Sequence, residues 1–192
     1  MKLVFVSNNV NKLAEIRSML PKSIELLSLD DVEEGVEIEE TATTLQGNAE
    51  IKAAYVWDKY GLNSFADDTG LEVAAMDNEP GVYSARYAGE NAKDSDNQDK
   101  LMFHMDGEMN RAARFRTSIC LILEGRRTFF EGIIDGELAQ HPRGKNGFGY
   151  DPIFIPKGYN MTFGQMDVYM KNNMSHRKFA VMKLVKFLNE KV

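Results

Sequence analysis

The run Lys2-Leu3-Val4-Phe5-Val6 constrains the fold more than any other stretch, because it is apolar at consecutive rather than alternate positions. A strand with that pattern is buried on both faces, the habit of a parallel-type sheet covered by helices. The run stops at Ser7-Asn8-Asn9-Val10-Asn11-Lys12, after which Leu13, Ile16 and Leu20 recur at helical spacing up to Pro21. Strand, polar loop and helix in that order predict an α/β protein. A second strand is expected over residues 24–29. A helix over about 44–60 carries the stripe Leu45, Ala49, Ala53, Val56 and Tyr60, and Gly61 ends it as a left-handed cap.

Further on, Ala113, Phe115, Thr117, Ile119, Leu121 and Leu123 alternate, the signature of a half-buried strand. Glu124-Gly125 turns it into a returning strand over 127–134, an antiparallel hairpin. Gly136 is expected to break that strand, leaving 137–139 as a separate short one. Two more helices are expected. One covers 92–105 with Leu101, Met102 and Met105 inward; the other follows Ser175 with Val181, Leu184, Val185 and Leu188 on one face. No repeat or linker interrupts the chain, so residues 1–192 read as a single domain, an α/β unit with a smaller lobe.

Composition narrows the function. A chain of 192 residues at 43% hydrophobic content suffices for a full core. It has no run of about 18 apolar residues, so no membrane span is expected, and the N-terminal run is too short for a signal peptide. One cysteine, Cys120, excludes an internal disulfide and suits a reducing, cytoplasmic setting; its apolar neighbours predict a buried thiol. The net charge of −6 argues against a nucleic-acid polymer as partner. A polyphosphate ligand remains compatible, provided cations cluster locally or a metal mediates.

Four stretches carry chemistry. In Ser64-Phe65-Ala66-Asp67-Asp68-Thr69-Gly70, a short strand over 63–66 delivers two adjacent carboxylates, and 71–76 follows as a second apolar segment. Adjacent carboxylates repel unless a cation sits between them or one holds a proton, so the pair reads as a metal site or as an acidic turn. The Ser7–Lys12 loop reads as an anion cradle at a helix N-terminus, with Ser7, Asn9 and Lys12 contributing, or as an Asn-rich N-cap. In Arg143-Gly144-Lys145-Asn146-Gly147-Phe148-Gly149-Tyr150-Asp151-Pro152, three glycines frame one phenylalanine, a ring offered to a planar ligand or a plug for the core. Ser175 reads as an N-cap, so His176 and Arg177 lie in a first turn where cations oppose the helix dipole, a hint of a nearby anion or base acceptor, or else ordinary surface.

Elsewhere, residues 30–40 hold seven carboxylates: Asp30, Asp31, Glu33, Glu34, Glu37, Glu39 and Glu40. Most read as a solvated acidic loop. Glu40, at the loop's end before the next helix, stands out. In that helix Asn48 and Lys52 share a face beside the core stripe.

Five of these pieces in order, Ser7-Asn8-Asn9-Val10-Asn11-Lys12, Glu39-Glu40-Thr41, Ala66-Asp67-Asp68-Thr69-Gly70, Gly147-Phe148-Gly149-Tyr150-Asp151-Pro152 and Ser175-His176-Arg177, resemble the inosine/xanthosine triphosphate pyrophosphatases, the Ham1-like or RdgB-like family. The segment Pro80-Gly81-Val82-Tyr83-Ser84-Ala85-Arg86-Tyr87-Ala88-Gly89-Glu90 is similar to that family's as well. The resemblance implies a mixed central β-sheet flanked by helices, two lobes with an active-site cleft between them, and a homodimer. It implies Mg²⁺-dependent hydrolysis of ITP, dITP and XTP to the monophosphate and pyrophosphate. Substrate contacts fall by position on Ser7, Asn8, Asn9, Val10, Asn11, Lys12, Lys52, Thr69, Phe148, Gly149, Tyr150, Asp151, Lys171, His176 and Arg177. The metal carboxylates fall on Glu40 and Asp68, and Asp68 is also the implied proton acceptor. The chain departs from the pattern at Asn8 and Asn11, where glycine is common, and in lacking an acidic residue directly before Lys171.

Three rival readings are weaker. Asp68-Thr69-Gly70 also spells an aspartic-protease motif, but those enzymes need two such aspartates. Maf-like pyrophosphatases lack the phenylalanine loop and the Ser-His-Arg segment. A non-catalytic nucleotide-binding module has no need of Glu40, Asp68 and Lys12 together.

Overall fold

A computed structural model describes residues 1–190 of the chain. It is an α/β protein with one six-stranded mixed sheet in the order β2-β1-β3-β4-β5-β6. The strands are β1 (Lys2–Phe5), β2 (Glu25–Ser28), β3 (Ser64–Val73), β4 (Ala112–Leu123), β5 (Arg126–Leu138) and β6 (Phe154–Pro156). The helices are α1 (Val10–Met19), α2 (Leu45–Tyr60), α3 (Asp94–His104), α4 (Val168–Met174) and α5 (His176–Asn189). The chain divides into two compact units: residues 1–68, 117–132 and 177–192, and residues 69–116 and 133–176.

In the first unit β1 lies parallel to both β2 and the start of β3, with Val4 opposite Ser64 and Phe5 opposite Phe65. Side chains alternate across a strand, and here both faces are covered. Leu3, Phe5, Phe65, Ile119 and Leu121 pack against Ile16 of α1 and Ala180, Val181, Leu184 and Leu188 of α5. On the other face Val4, Val6, Ala66, Cys120 and Ile122 pack against Ala49, Ala53 and Val56 of α2. That is why β1 is apolar at every position from Leu3 to Phe5. It also corrects the half-buried reading of β4: from Thr117 to Ile122 both faces are buried, because α2 covers the side the alternation had left to solvent. Cys120 is a buried free thiol, pushed up to about 12 by desolvation.

The second unit has its own core, in which Leu71, Val73, Leu101, Met105, Phe115, Leu138, Ile153, Phe154, Phe163 and Met166 meet. Phe115 packs edge-on to Phe154, with ring centroids 4.7 Å apart. Here β5 pairs antiparallel with β6.

Several expectations change. β3 is a single ten-residue strand, so Asp67 and Asp68 sit in mid-strand and residues 71–73 continue it rather than beginning another segment. β5 does not break at Gly136. A Cβ at this glycine would stand 2.2 Å from the Ile155 carbonyl oxygen, so the glycine lets β6 approach without interrupting the strand. Tyr60 is not core: it is 37% exposed, and its hydroxyl donates to Glu33 at 2.6 Å. The short helix α4, N-capped by Asp167, carries Lys171 and offers only the pair Met170 and Met174 to the core, too short a stripe to have announced it.

Candidate active site

Asp67 and Asp68 are consecutive on an extended strand, so their side chains leave opposite faces of the sheet. Each makes its closest contacts with a different set of side chains within the first unit.

Asp67 follows Phe65 onto the face covered by α1 and α5. It is fully buried. One carboxylate oxygen accepts from Arg177 Nε at 3.0 Å, and the other lies 3.2 Å from Lys12 Nζ. Arg177 is itself buried, and its Nη1 donates to Glu15 Oε2. Desolvation opposes charge on Asp67, but Lys12, Arg177 and Lys52 outweigh it and hold the carboxyl well below the usual range. Arg177 responds in kind: Asp67 and Glu15 overcome its burial and push its pKa higher still. Lys12 goes the other way. Burial, with Lys52 and Arg177 as like charges, lowers its pKa despite Asp67.

Asp68 follows Ala66 onto the α2 face. One oxygen accepts from Asn48 Nδ2 at 3.3 Å, and the other is 3.8 Å from Lys52 Nζ. The Lys52 ammonium donates to Glu40 Oε1 at 2.5 Å. Two carboxylates from distant stretches therefore converge on one lysine. Asn48 and Lys52 are four apart on α2, so both reach the same place. Asn48 also accepts from the Ala42 backbone N–H at 2.9 Å, which fixes the segment after Glu40. Burial raises the Asp68 pKa, with Glu40 and Asp67 adding repulsion against the pull of Lys52 and Lys12. Lys52 is raised, because Asp68, Glu40 and Asp67 overcome its desolvation.

The loop before α1 is more structural than the anion-cradle reading had it. Asn9 is the N-cap, and its side-chain oxygen accepts from the backbone N–H groups of Asn11 and Lys12 at 3.0 and 3.1 Å. Two first-turn amides are thus satisfied from within. Ser7 Oγ accepts from Asn9 N, Asn8 donates its side-chain amide to the Val36 carbonyl at 2.8 Å, and Val10 is largely exposed.

In the second unit the Phe148 loop is fastened from several sides. Asp151 Oδ2 accepts from Lys171 Nζ at 2.7 Å and from Phe148 N at 2.8 Å. At Gly147 φ is +76°, and a Cβ would stand 1.9 Å from that same carboxylate, so only glycine fits. Gly149 donates its N–H to Asp94 and accepts from Gln98, both at 2.6 Å, two contacts from α3. Tyr150 is buried, donates to the Ser84 carbonyl at 2.9 Å, and has its pKa raised by that burial. The loop therefore holds the half-buried Phe148 ring on a rigid frame. Lys171 Nζ lies 4.5 Å from the Phe148 ring centroid, a cation–π contact. His176 is buried and stacks on Phe115 with ring centroids 4.7 Å apart. Thr69, next on β3 after Asp68, is half-buried.

A protein-family model, the Ham1 family, matches residues 3–187. The chain belongs to the Ham1 family. Among curated Ham1-like relatives, the dITP/XTP pyrophosphatase of Flavobacterium johnsoniae is 53% identical over 98% of each chain. That of Porphyromonas gingivalis is 50% identical over 97% of each. Of solved structures, the Ham1 protein of Staphylococcus aureus superimposes with a TM-score of 0.92 at 34% identity over all of both chains. The Ham1 protein of Coxiella burnetii gives 0.92 at 37% identity over 99% of each. One residue of these charge sets, Glu15, and one contact, from Asn48 to Ala42, escaped the sequence reading. Glu15 is one helical turn beyond Lys12, a spacing that could have pointed to it. The second role of Asn48, as the tie to Ala42, has no periodic signal at all.

Proposed function

We propose that this chain hydrolyses non-standard purine nucleoside triphosphates of the ITP, dITP and XTP class to the monophosphate and pyrophosphate, with magnesium, at the Asp68 site. The observation that carries the reading is the convergence of Glu40 and Asp68 on Lys52, with Asn48 holding Asp68 from the other side. Relatives about half identical over nearly their whole length, named dITP/XTP pyrophosphatases, support the choice of substrate.

The donor set fits a small hard cation. Magnesium is usually held by one or two carboxylates together with substrate phosphates and waters, and Glu40 and Asp68 are two such carboxylates on one lysine. Among the described residues no cluster of three or more His, Cys, Asp and Glu is placed to hold a metal unaided. That composition suits an ion that arrives with its substrate. Bound there, it supplies charge neutralisation on phosphate and a lowered pKa for a coordinated water.

The chain's own residues do the rest. Asp68 orients the attacking water and accepts its proton as the oxygen closes on the α-phosphorus. The α–β phosphoanhydride bond breaks, and pyrophosphate leaves. Lys12 and Lys52 supply the positive field that an acidic protein otherwise lacks. Phe148 stacks on the purine without choosing among bases. Donors facing O6, which hypoxanthine and xanthine present as an acceptor, are left unpaired by adenine, and that disfavours it. Lys171 and Asp151 set the Phe148 ring, and His176 and Arg177 belong to the base side by position.

The same reading has the chain acting as one domain, as a homodimer and in the cytoplasm. No described helix is long and apolar enough to cross a membrane. The test is a panel of ITP, dITP, XTP, GTP and ATP, with and without magnesium, scoring pyrophosphate against orthophosphate. Pyrophosphate from the first three, dependent on magnesium, is expected. Orthophosphate release, or equal rates on ATP, overturns the reading.

A further inference from the structure

The acidic segment between β2 and α2 has no regular secondary structure, yet it is fastened along α2 at every level. Ala42 is held by Asn48, Glu40 by Lys52, and Glu33 by the last turns of the helix. The Glu33 carboxylate accepts from Tyr60 Oη at 2.6 Å, Tyr55 Oη at 2.7 Å and Lys59 Nζ at 2.8 Å. Lys59 also lies 5.2 and 5.4 Å from the Tyr55 and Tyr60 ring centroids. Between these ties Val36 and Ile38, and just before them Val32, pack on the α2-side core, and Asn8 holds the Val36 carbonyl. The segment runs as a strap with its apolar residues inward. Of its seven carboxylates, only Glu33 and Glu40 are drawn partly inside.

We infer that Glu33 is a positioning residue for Glu40: its clasp with Tyr55, Lys59 and Tyr60 anchors the far end of the strap that presents the Glu40 carboxylate to a metal ion. This rests on the reading that Glu40 and Asp68 hold that ion. Without the clasp the strap would keep its apolar contacts and the Val36 tie but gain freedom at its far end, and a cation would then bear more of the cost of ordering Glu40. A clasp of charge-assisted hydrogen bonds removes that freedom in advance. Partners that hydrogen-bond a metal ligand directly hold it in this way, and Glu33 acts one step further out, through the strap. The clasp needs no folding role, since the apolar strap residues and α2 itself belong to the core.

The test uses the full chain and Mn²⁺ as the probe. Binding is followed by the loss of the free-ion electron paramagnetic resonance signal, and strap mobility by hydrogen exchange over residues 30–42. Glu33→Ala should weaken Mn²⁺ binding about tenfold and speed exchange in the strap, with Tm and exchange in α2 near those of the parent. Lys59→Met should move both in the same direction by less, and Glu34→Ala, at an exposed neighbour, should move neither. Faster strap exchange with unchanged Mn²⁺ affinity would make Glu33 a purely structural clasp and overturn the inference, as would no change in either. A parent chain that binds no Mn²⁺ would instead sink the metal reading, and the inference with it. Binding that depends on Glu33 in a chain inert toward ITP would leave the inference standing and remove only the substrate assignment.

Discussion

Asp67 and Asp68 are neighbours in sequence but serve opposite faces of β3: Asp67 is sealed between Lys12 and Arg177, whereas Asp68 meets Lys52 and Asn48 on the α2 side. The alternation of an extended strand turns an apparent carboxylate pair into two carboxyls with different partners on opposite faces.

Asp68→Asn should cost about 10²-fold or more in pyrophosphate release from ITP, the scale of a lost proton acceptor. Thermal stability should hold or rise, because burial already disfavours the charged form of this carboxyl. Near-parental pyrophosphate release in a steady-state assay would remove Asp68 from the chemistry.

Asp67→Asn should behave in the opposite way. It leaves Arg177 and Lys12 as buried cations short of a counter-charge, a loss of about 3–5 kcal/mol. The sign with pH follows from the lowered carboxyl. Its stabilisation is full above the unfolded aspartate value of about 3.9 and disappears as pH falls through the lower folded value. Urea unfolding from pH 7 down to pH 2 should show the parent losing stability in acid with a steeper slope than the variant. Equal slopes would mean that Asp67 is not the buried anion.

Lys12 is expected to set the alkaline side. Its lowered pKa means that it sheds its proton at a pH below that of an ordinary lysine. The kcat/KM profile, which reports groups of the free enzyme, should therefore fall on the basic side earlier than an unperturbed lysine would allow. Lys12→Arg should carry that limb upward, since guanidinium stays charged. A limb that does not move assigns it to another group.

Phe148→Ala should weaken ITP, XTP and ATP alike, by about 1–3 kcal/mol in binding, the scale of one base stacked on one ring. The measure is KM across the triphosphate panel, with kcat recorded beside it. A loss confined to one base would show the loop to be reading edges rather than offering a face. Lys171→Met is a companion: it strips Asp151 of its buried partner and should loosen the same ring.

By itself the sequence determined the α/β class, the helices α1, α2, α3 and α5 and the hairpin from β4 to β5. Periodicity and caps are local, and each of these elements announces itself within a few residues: the apolar stripe of α2 ending at Gly61, the alternation of β4, the continuous run of β1. The motifs also sufficed for the Ham1 resemblance. Tertiary structure alone decided how the charges are shared out. Which aspartate of a strand is sealed and which meets α2 depends on which helix covers each face, and no local period encodes that. Arg177 finds Asp67 across 110 residues of chain, and Glu33 finds the end of α2 through a strap with no repeating pattern. Gly136 looked like a breaker because the close approach of β6 is visible only after the two strands pair. Burial then does what composition cannot: it turns ordinary lysines and carboxylates into groups whose protonation is set by their neighbours.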